Sequence, residues 1–167
     1  MSKVAGASAS LYNNPYSPLS YLPFSKRMSA AFDLVHRLGK EYEKPAFGLN
    51  TTSIDGVDVP VIERVVCEKP FCKLLHFERQ FPDGMPRPND PKLLLVAPLS
   101  GHHATLLRDT VRTLLPNHEI FITDWIDARL VPLKLGPFHL DDYVDYVREF
   151  ITLLSPDLHV MSVCQPT

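Results

Sequence analysis

The 167-residue chain contains no apolar stretch approaching the roughly 20 residues needed to span a bilayer. It also lacks an excess of either charge. With 17 Lys and Arg against 19 Asp and Glu spread along the chain, it offers neither a basic stripe for nucleic acid nor a polybasic membrane anchor. Residues 1–10 hold one lysine and small side chains without a hydrophobic segment, which argues against a secretory leader. Cysteine is scarce, and three is an odd number, so reduced thiols in a cytosolic setting are expected. Cys67 and Cys72 flank the turn Glu68-Lys69-Pro70-Phe71, yet they too are read as buried thiols. No His-x-x-x-His spacing and no internal repeat occur. The adjacent His102 and His103, considered with Asp124 and Asp127, cannot easily aim at one ion from a helix start. No metal or cofactor is expected.

What the chain does have is 45% hydrophobic residues, enough to build the core of one domain. It also has 16 prolines, about twice ordinary usage. They cluster at Pro15, Pro18 and Pro23 and again at Pro82, Pro86, Pro88 and Pro91, leaving the candidate strands and helices almost clear. Proline therefore punctuates a folded domain.

Residues 1–23 read as an irregular arm offering Tyr12, Tyr16, Tyr21 and Leu22 for packing, and residues 24–167 as one partial domain. From Ser25 to about Glu43 the positions Met28, Ala31, Phe32, Val35, Leu38 and Tyr42 recur at helical spacing. Residues 59–66 and 72–78 read as an antiparallel strand pair, followed by a proline-rich loop over 80–91. Lys92-Leu93-Leu94-Leu95-Val96-Ala97 is a continuous apolar run of the kind buried on both faces of a parallel sheet. Then come a helix on Ala104, Leu107, Val111, Leu114 and Leu115, a strand over 119–123, and a polar elbow over 124–129. A second amphipathic helix follows over 140–154, then a last strand over 158–163. Alternation of that kind predicts an α/β fold with a mostly parallel sheet and an antiparallel edge pair.

Two segments can carry chemistry. Cys164 ends the last strand, and a nucleophile on a sharp strand-to-helix turn is held with its side chain exposed. The amide of Gln165 would then face a developing oxyanion, and Pro166 suits the first turn of a following helix. Read on local chemistry alone, a buried core cysteine at a strand end fits equally well. The flanking Ser162 and Pro166 also stand where the nucleophile pattern has glycine. The second segment, Val96-Ala97-Pro98-Leu99-Ser100-Gly101-His102-His103, follows the apolar run and can supply a second oxyanion amide. Set against the strand–His–Gly–X pattern of the α/β-hydrolases, which the segment resembles, Leu99 falls at the donor position and Ser100 is the next candidate, with Gly101 permitting a close approach. The alternative is an ordinary loop capping the next helix. The Asp124–Arg129 segment is read as the rim of a cleft, or more simply as an Asp–Arg pair within one loop.

Longer segments carry a family resemblance. Phe47-Gly48-Leu49, Glu68-Lys69-Pro70-Phe71-Cys72-Lys73-Leu74-Leu75-His76-Phe77, Val96-Ala97-Pro98-Leu99-Ser100-Gly101-His102, Thr123-Asp124-Trp125-Ile126-Asp127-Ala128-Arg129 and Val163-Cys164-Gln165-Pro166 resemble the intracellular poly(3-hydroxybutyrate) depolymerases, from about Pro18 to Thr167. The resemblance implies the N-terminal half of an α/β-hydrolase fold, cut just past its nucleophile elbow. It implies hydrolysis of ester bonds in stored polyhydroxyalkanoate granules of the bacterial cytoplasm, with Cys164 as nucleophile. A histidine base and an orienting aspartate would follow in sequence, beyond Thr167. The polypeptide alone is accordingly expected to be inactive and poorly soluble, with residues 158–163 as an exposed edge. Two alternatives stand beside this. A polyhydroxyalkanoate synthase-like acyltransferase also uses cysteine, but carries glycines around it. A non-catalytic granule-associated remnant would instead use the aromatic arm.

Overall fold

The computed structural model describes residues 2–38, 44–99 and 103–164. Two compact units divide the chain, Met1–Glu43 and Lys44–Thr167.

In the first unit, helix α1 (Ser2–Asn13) pairs with helix α2 (Ser25–Leu38) across a turn containing the short 3-10 segment Pro18–Tyr21. The irregular arm expected over residues 1–23 is therefore largely helical, and the compact boundary follows Glu43. The physical reason lies in the small residues of α1, which carry no apolar period but allow close approach. A Cβ on Gly6 would sit 3.0 Å from Nδ1 of His36. Further along, Ser29 Oγ donates to the Ala9 carbonyl at 3.2 Å, and Tyr12 stacks on Phe32 at 5.8 Å. Positions 6, 9 and 12 thus meet 36, 29 and 32, an antiparallel hairpin. Helix α2 begins at the expected Ser25, and its expected end over residues 39–43 lies outside the described residues.

The second unit holds six strands: β1 (Thr51–Ile54), β2 (Val57–Lys69), β3 (Cys72–Arg79), β4 (Lys92–Val96), β5 (Glu119–Trp125) and β6 (Leu158–Ser162). They form one sheet in the order β1-β2-β3-β5-β4-β6. Strand β1 joins β2 through Asp55-Gly56, whose φ values of 50° and 81° are those of a tight hairpin turn with both central residues left-handed. The expected pair β2–β3 forms around Pro70-Phe71, with a register shift between Val65 and Cys67. Cys67 and Cys72 on this pair remain separate thiols, and burial pushes the Cys72 thiol pKa well up.

The sheet is mixed, which corrects the expectation of a mostly parallel one. Strand β3 runs antiparallel to β5 as well as to β2, and only β4–β5 and β4–β6 are parallel. The cause is the connection after β3. A loop without a crossover helix returns the chain in the opposite direction, which parallel pairing does not allow. Arg79 anchors that loop through Asp90 at 2.7 Å and the Pro116 carbonyl at 3.1 Å.

Helices α3 (Arg108–Leu114) and α4 (Leu140–Leu154) connect the parallel strands. Residues 104–107 form a 3-10 turn ahead of α3, which buries Val111, while Leu107 and Leu115 close the same face. Helix α4 begins where expected because the His139 N–H donates to Asp142 Oδ2 at 2.7 Å, and Asp141 and Asp142 sit at the positive end of its dipole. Its apolar face buries Tyr143, Phe150 and Leu154. Phe71, Trp125, Phe138, Tyr143 and Tyr146 then form a linked aromatic group, with Trp125 and Tyr143 centroids 4.6 Å apart. Strand β6 closes the order, and its Val160 and Met161 are exposed, as expected for an uncovered edge. No described helix is long and apolar enough to cross a membrane.

Candidate active site

The parallel trio fixes where chemistry can gather. From β4 the chain crosses through α3 to β5 on one side, then through α4 to β6 on the other. That reversal leaves β4 and β6 adjacent, with loops departing separately from their carboxyl ends. Such a switch point is where open α/β sheets form their ligand crevice. Leu99 and Cys164 follow the two strands of this pair.

The register makes the placement concrete. Lys92 through Val96 pair with Leu158 through Ser162, and the Val163 N–H then donates to the Val96 carbonyl at 3.2 Å. Cys164 follows directly. It is exposed, and its φ of 69° lies in the left-handed region, which costs a side chain with a Cβ roughly 1–2 kcal/mol. Asp55 and Asp157 adopt the same region at φ 50° and 60°, so this backbone marks a turn after the strand. The alternative of a core cysteine does not fit its exposure. Gln165 lies outside the described residues, so the amide assigned to it has no described position.

The β4 exit is fixed by two side chains from β5. Pairing of β4 with β5 stops at Leu95–Ile122. Beyond it, Ala97 N–H donates to Thr123 Oγ1 at 2.9 Å, and Trp125 Nε1–H donates to the Ala97 carbonyl at 3.0 Å. All three groups are buried, so each hydrogen bond also removes a desolvation cost. Pro98 is buried behind this clamp, and Leu99 emerges at 40% exposure. Ser100, Gly101 and His102 lie outside the described residues. The polar elbow expected over 124–129 begins later, because Asp124 and Trp125 are buried residues of β5.

The remaining polar residues of this edge pair locally. Asp127 accepts from the Arg129 N–H at 2.9 Å and from its guanidinium at 2.6 Å. These bonds hold the Asp127 carboxyl down at a pKa of about 2. The loop pair is therefore the reading the structure supports for Asp127. Asp124 pairs with Lys44 Nζ, while its Oδ1 is buried without a partner among the described residues. The buried Tyr143 hydroxyl likewise has no hydrogen-bond partner among the described residues, and desolvation pushes its pKa up to about 12. Among the described residues, no three His, Cys, Asp or Glu side chains converge to hold a metal ion.

Chemically, the arrangement presents an exposed thiol on a constrained turn beside a backbone loop whose approach is set by a buried clamp. Compared with known proteins, the chain matches no family model, no curated protein and no solved structure.

Proposed function

We propose that this chain carries the nucleophile of a cysteine-dependent ester hydrolase acting on polyhydroxyalkanoate, with poly(3-hydroxybutyrate) as the substrate class its sequence resemblance implies. One observation carries the reading: Cys164 stands at φ 69° after β6, at the switch point beside the β4 loop. The strand order supports the α/β-hydrolase reading in the same physical sense, because it brings the nucleophile strand next to the strand whose loop would supply the second oxyanion amide.

In this reading the Cys164 thiolate attacks the ester carbonyl. The carbonyl oxygen becomes an oxyanion held by the amides of Gln165 and of Leu99 or Ser100. Collapse expels the alcohol portion of the polymer, which takes a proton, and leaves a thioester. Water then releases the hydroxy acid and restores the thiol. The resemblance places the histidine and aspartate that manage these protons after the nucleophile in sequence, so neither role falls to a residue between Met1 and Cys164.

The test is acylation. Incubation with p-nitrophenyl butyrate, followed by intact and peptide mass spectrometry, is expected to place one butyryl group on Cys164, with no sustained turnover. The Cys164→Ala variant is expected to remain unmodified. Acylation of Cys67 in its place, or none at all, overturns the assignment. Sustained hydrolysis dependent on Cys164 would overturn the placement of acid and base beyond it.

A further inference from the structure

The first unit carries a feature independent of Cys164. Its turn region exposes a run of large apolar side chains: Tyr16 at 94%, Tyr21 at 80%, Phe24 at 64%, with Leu22 and Met28 also exposed. These are not loose residues. Ser17 is buried and caps the 3-10 segment, Ser20 Oγ donates to the Ser17 carbonyl at 2.8 Å, and Tyr21 Oη donates to the Pro15 carbonyl at 3.1 Å. The Ser25 N–H closes the turn onto the Leu22 carbonyl at 2.9 Å. A hydrogen-bonded turn therefore holds aromatic and aliphatic groups in water, where burial of each would be favourable. Contiguous apolar surface of that kind marks a contact site.

Charge selects the partner. The first acidic residue of the chain is Asp33, so the first 32 residues carry Lys3, Lys26 and Arg27 and no Asp or Glu. The remaining positions hold 14 basic and 19 acidic residues. Lys26 and Arg27 are exposed and directly follow Phe24 and Ser25. Tyrosine and phenylalanine that enter the headgroup boundary, flanked by cations and free of acids, form the side-chain set of an interfacial anchor.

We infer that the turn between α1 and α2 docks this chain on an anionic lipid surface, with Tyr16, Tyr21, Leu22 and Phe24 entering the headgroup boundary and Lys26 and Arg27 pairing with lipid phosphates.

Flotation of the full chain with vesicles tests this, comparing pure phosphatidylcholine with an equal mixture of phosphatidylcholine and phosphatidylglycerol. Binding is expected on the anionic vesicles and is expected to weaken with added salt as screening shortens to about 10 Å at 0.1 M. The pair Tyr16→Ser and Phe24→Ser and the pair Lys26→Glu and Arg27→Glu are each expected to lower partitioning by at least about tenfold. All four positions are exposed, and circular dichroism of each variant checks that the helices persist. In a Phe24→Trp variant, lipids brominated near the headgroup are expected to quench the added fluorescence beyond that of Trp125 alone. Equal binding to both vesicle types, no binding at low salt, or indifference to both substitution pairs overturns the proposal. So does concentration-dependent self-association that the serine pair abolishes while vesicles have no effect.

Discussion

Replacing Thr123 by valine tests the clamp that positions the β4 exit. The two side chains are nearly isosteric, and Thr123 is fully buried, so the change removes an acceptor while largely keeping the shape. What it leaves is the Ala97 N–H, also fully buried, without the partner it has at 2.9 Å. An orphaned buried donor costs about 1–3 kcal/mol. The added methyl returns part of that, on the order of 0.8 kcal/mol. The net loss is then about 0.2–2.2 kcal/mol, which at a urea slope of about 2 kcal/mol per molar lowers the midpoint by about 0.1–1.1 M. Trp125, the sole tryptophan, reports on this place directly, since its indole N–H bonds the Ala97 carbonyl at 3.0 Å. Its fluorescence gives the unfolding curve, and hydrogen exchange at the Ala97 amide gives the local result. The amide should lose protection in the variant. An unchanged midpoint together with unchanged Ala97 protection would refute the clamp.

Two further tests follow from single side chains. Burial lowers the His76 pKa against the opposing pull of Glu119 at 3.3 Å, so the folded state favours neutral imidazole more than the unfolded chain does. The unfolded state then binds more protons as pH falls through about 6.5, and stability drops from there toward the lowered folded pKa. Urea midpoints measured from pH 7.5 to 5.5 should fall less steeply in His76→Gln than in the parent, and equal slopes would remove His76 as a source. At the strand end, Cys164→Gly should be more stable than Cys164→Ala by roughly 1 kcal/mol, because only glycine adopts φ 69° without strain. Equal midpoints for the two variants would mean the turn is not held in the left-handed region.

What could be read from the chain alone follows the range of the signal. The run Leu93-Leu94-Leu95-Val96 and the periodic face of α4 are local patterns, and both elements stand where those patterns put them. Helix α1 had no apolar period to show, because its contribution is closeness through Gly6 and Ala9 to a partner helix far along the chain. Strand β1 is only four residues long, and Asp55-Gly56 between alternating residues is the local signal of its hairpin. The antiparallel contact of β3 with β5 was not legible, since nothing in either strand states its neighbour. For the site, the position of Cys164 after an apolar strand was visible in sequence. The Thr123 and Trp125 bonds to Ala97 were not, because they join side chains to backbone across strands.

The case for a site at this sheet edge rests on geometry that neither segment has alone. A cysteine after an apolar strand is most often core, and a proline-containing loop after another strand is most often a connection. Register removes that independence. Once β4 pairs with β6 from Lys92–Leu158 through Val96–Ser162, the segments that follow must leave from adjacent points on one end of the sheet. The strand that would otherwise separate them, β5, lies on the far side of β4. Both departures are then constrained, one by a left-handed residue and the other by two buried side chains bonded to one peptide unit. Strain at Cys164 and the clamped Ala97 backbone lie at the same end of neighbouring strands. Relaxing the clamp by Thr123→Val while measuring acylation of Cys164 would show whether the two act as a unit.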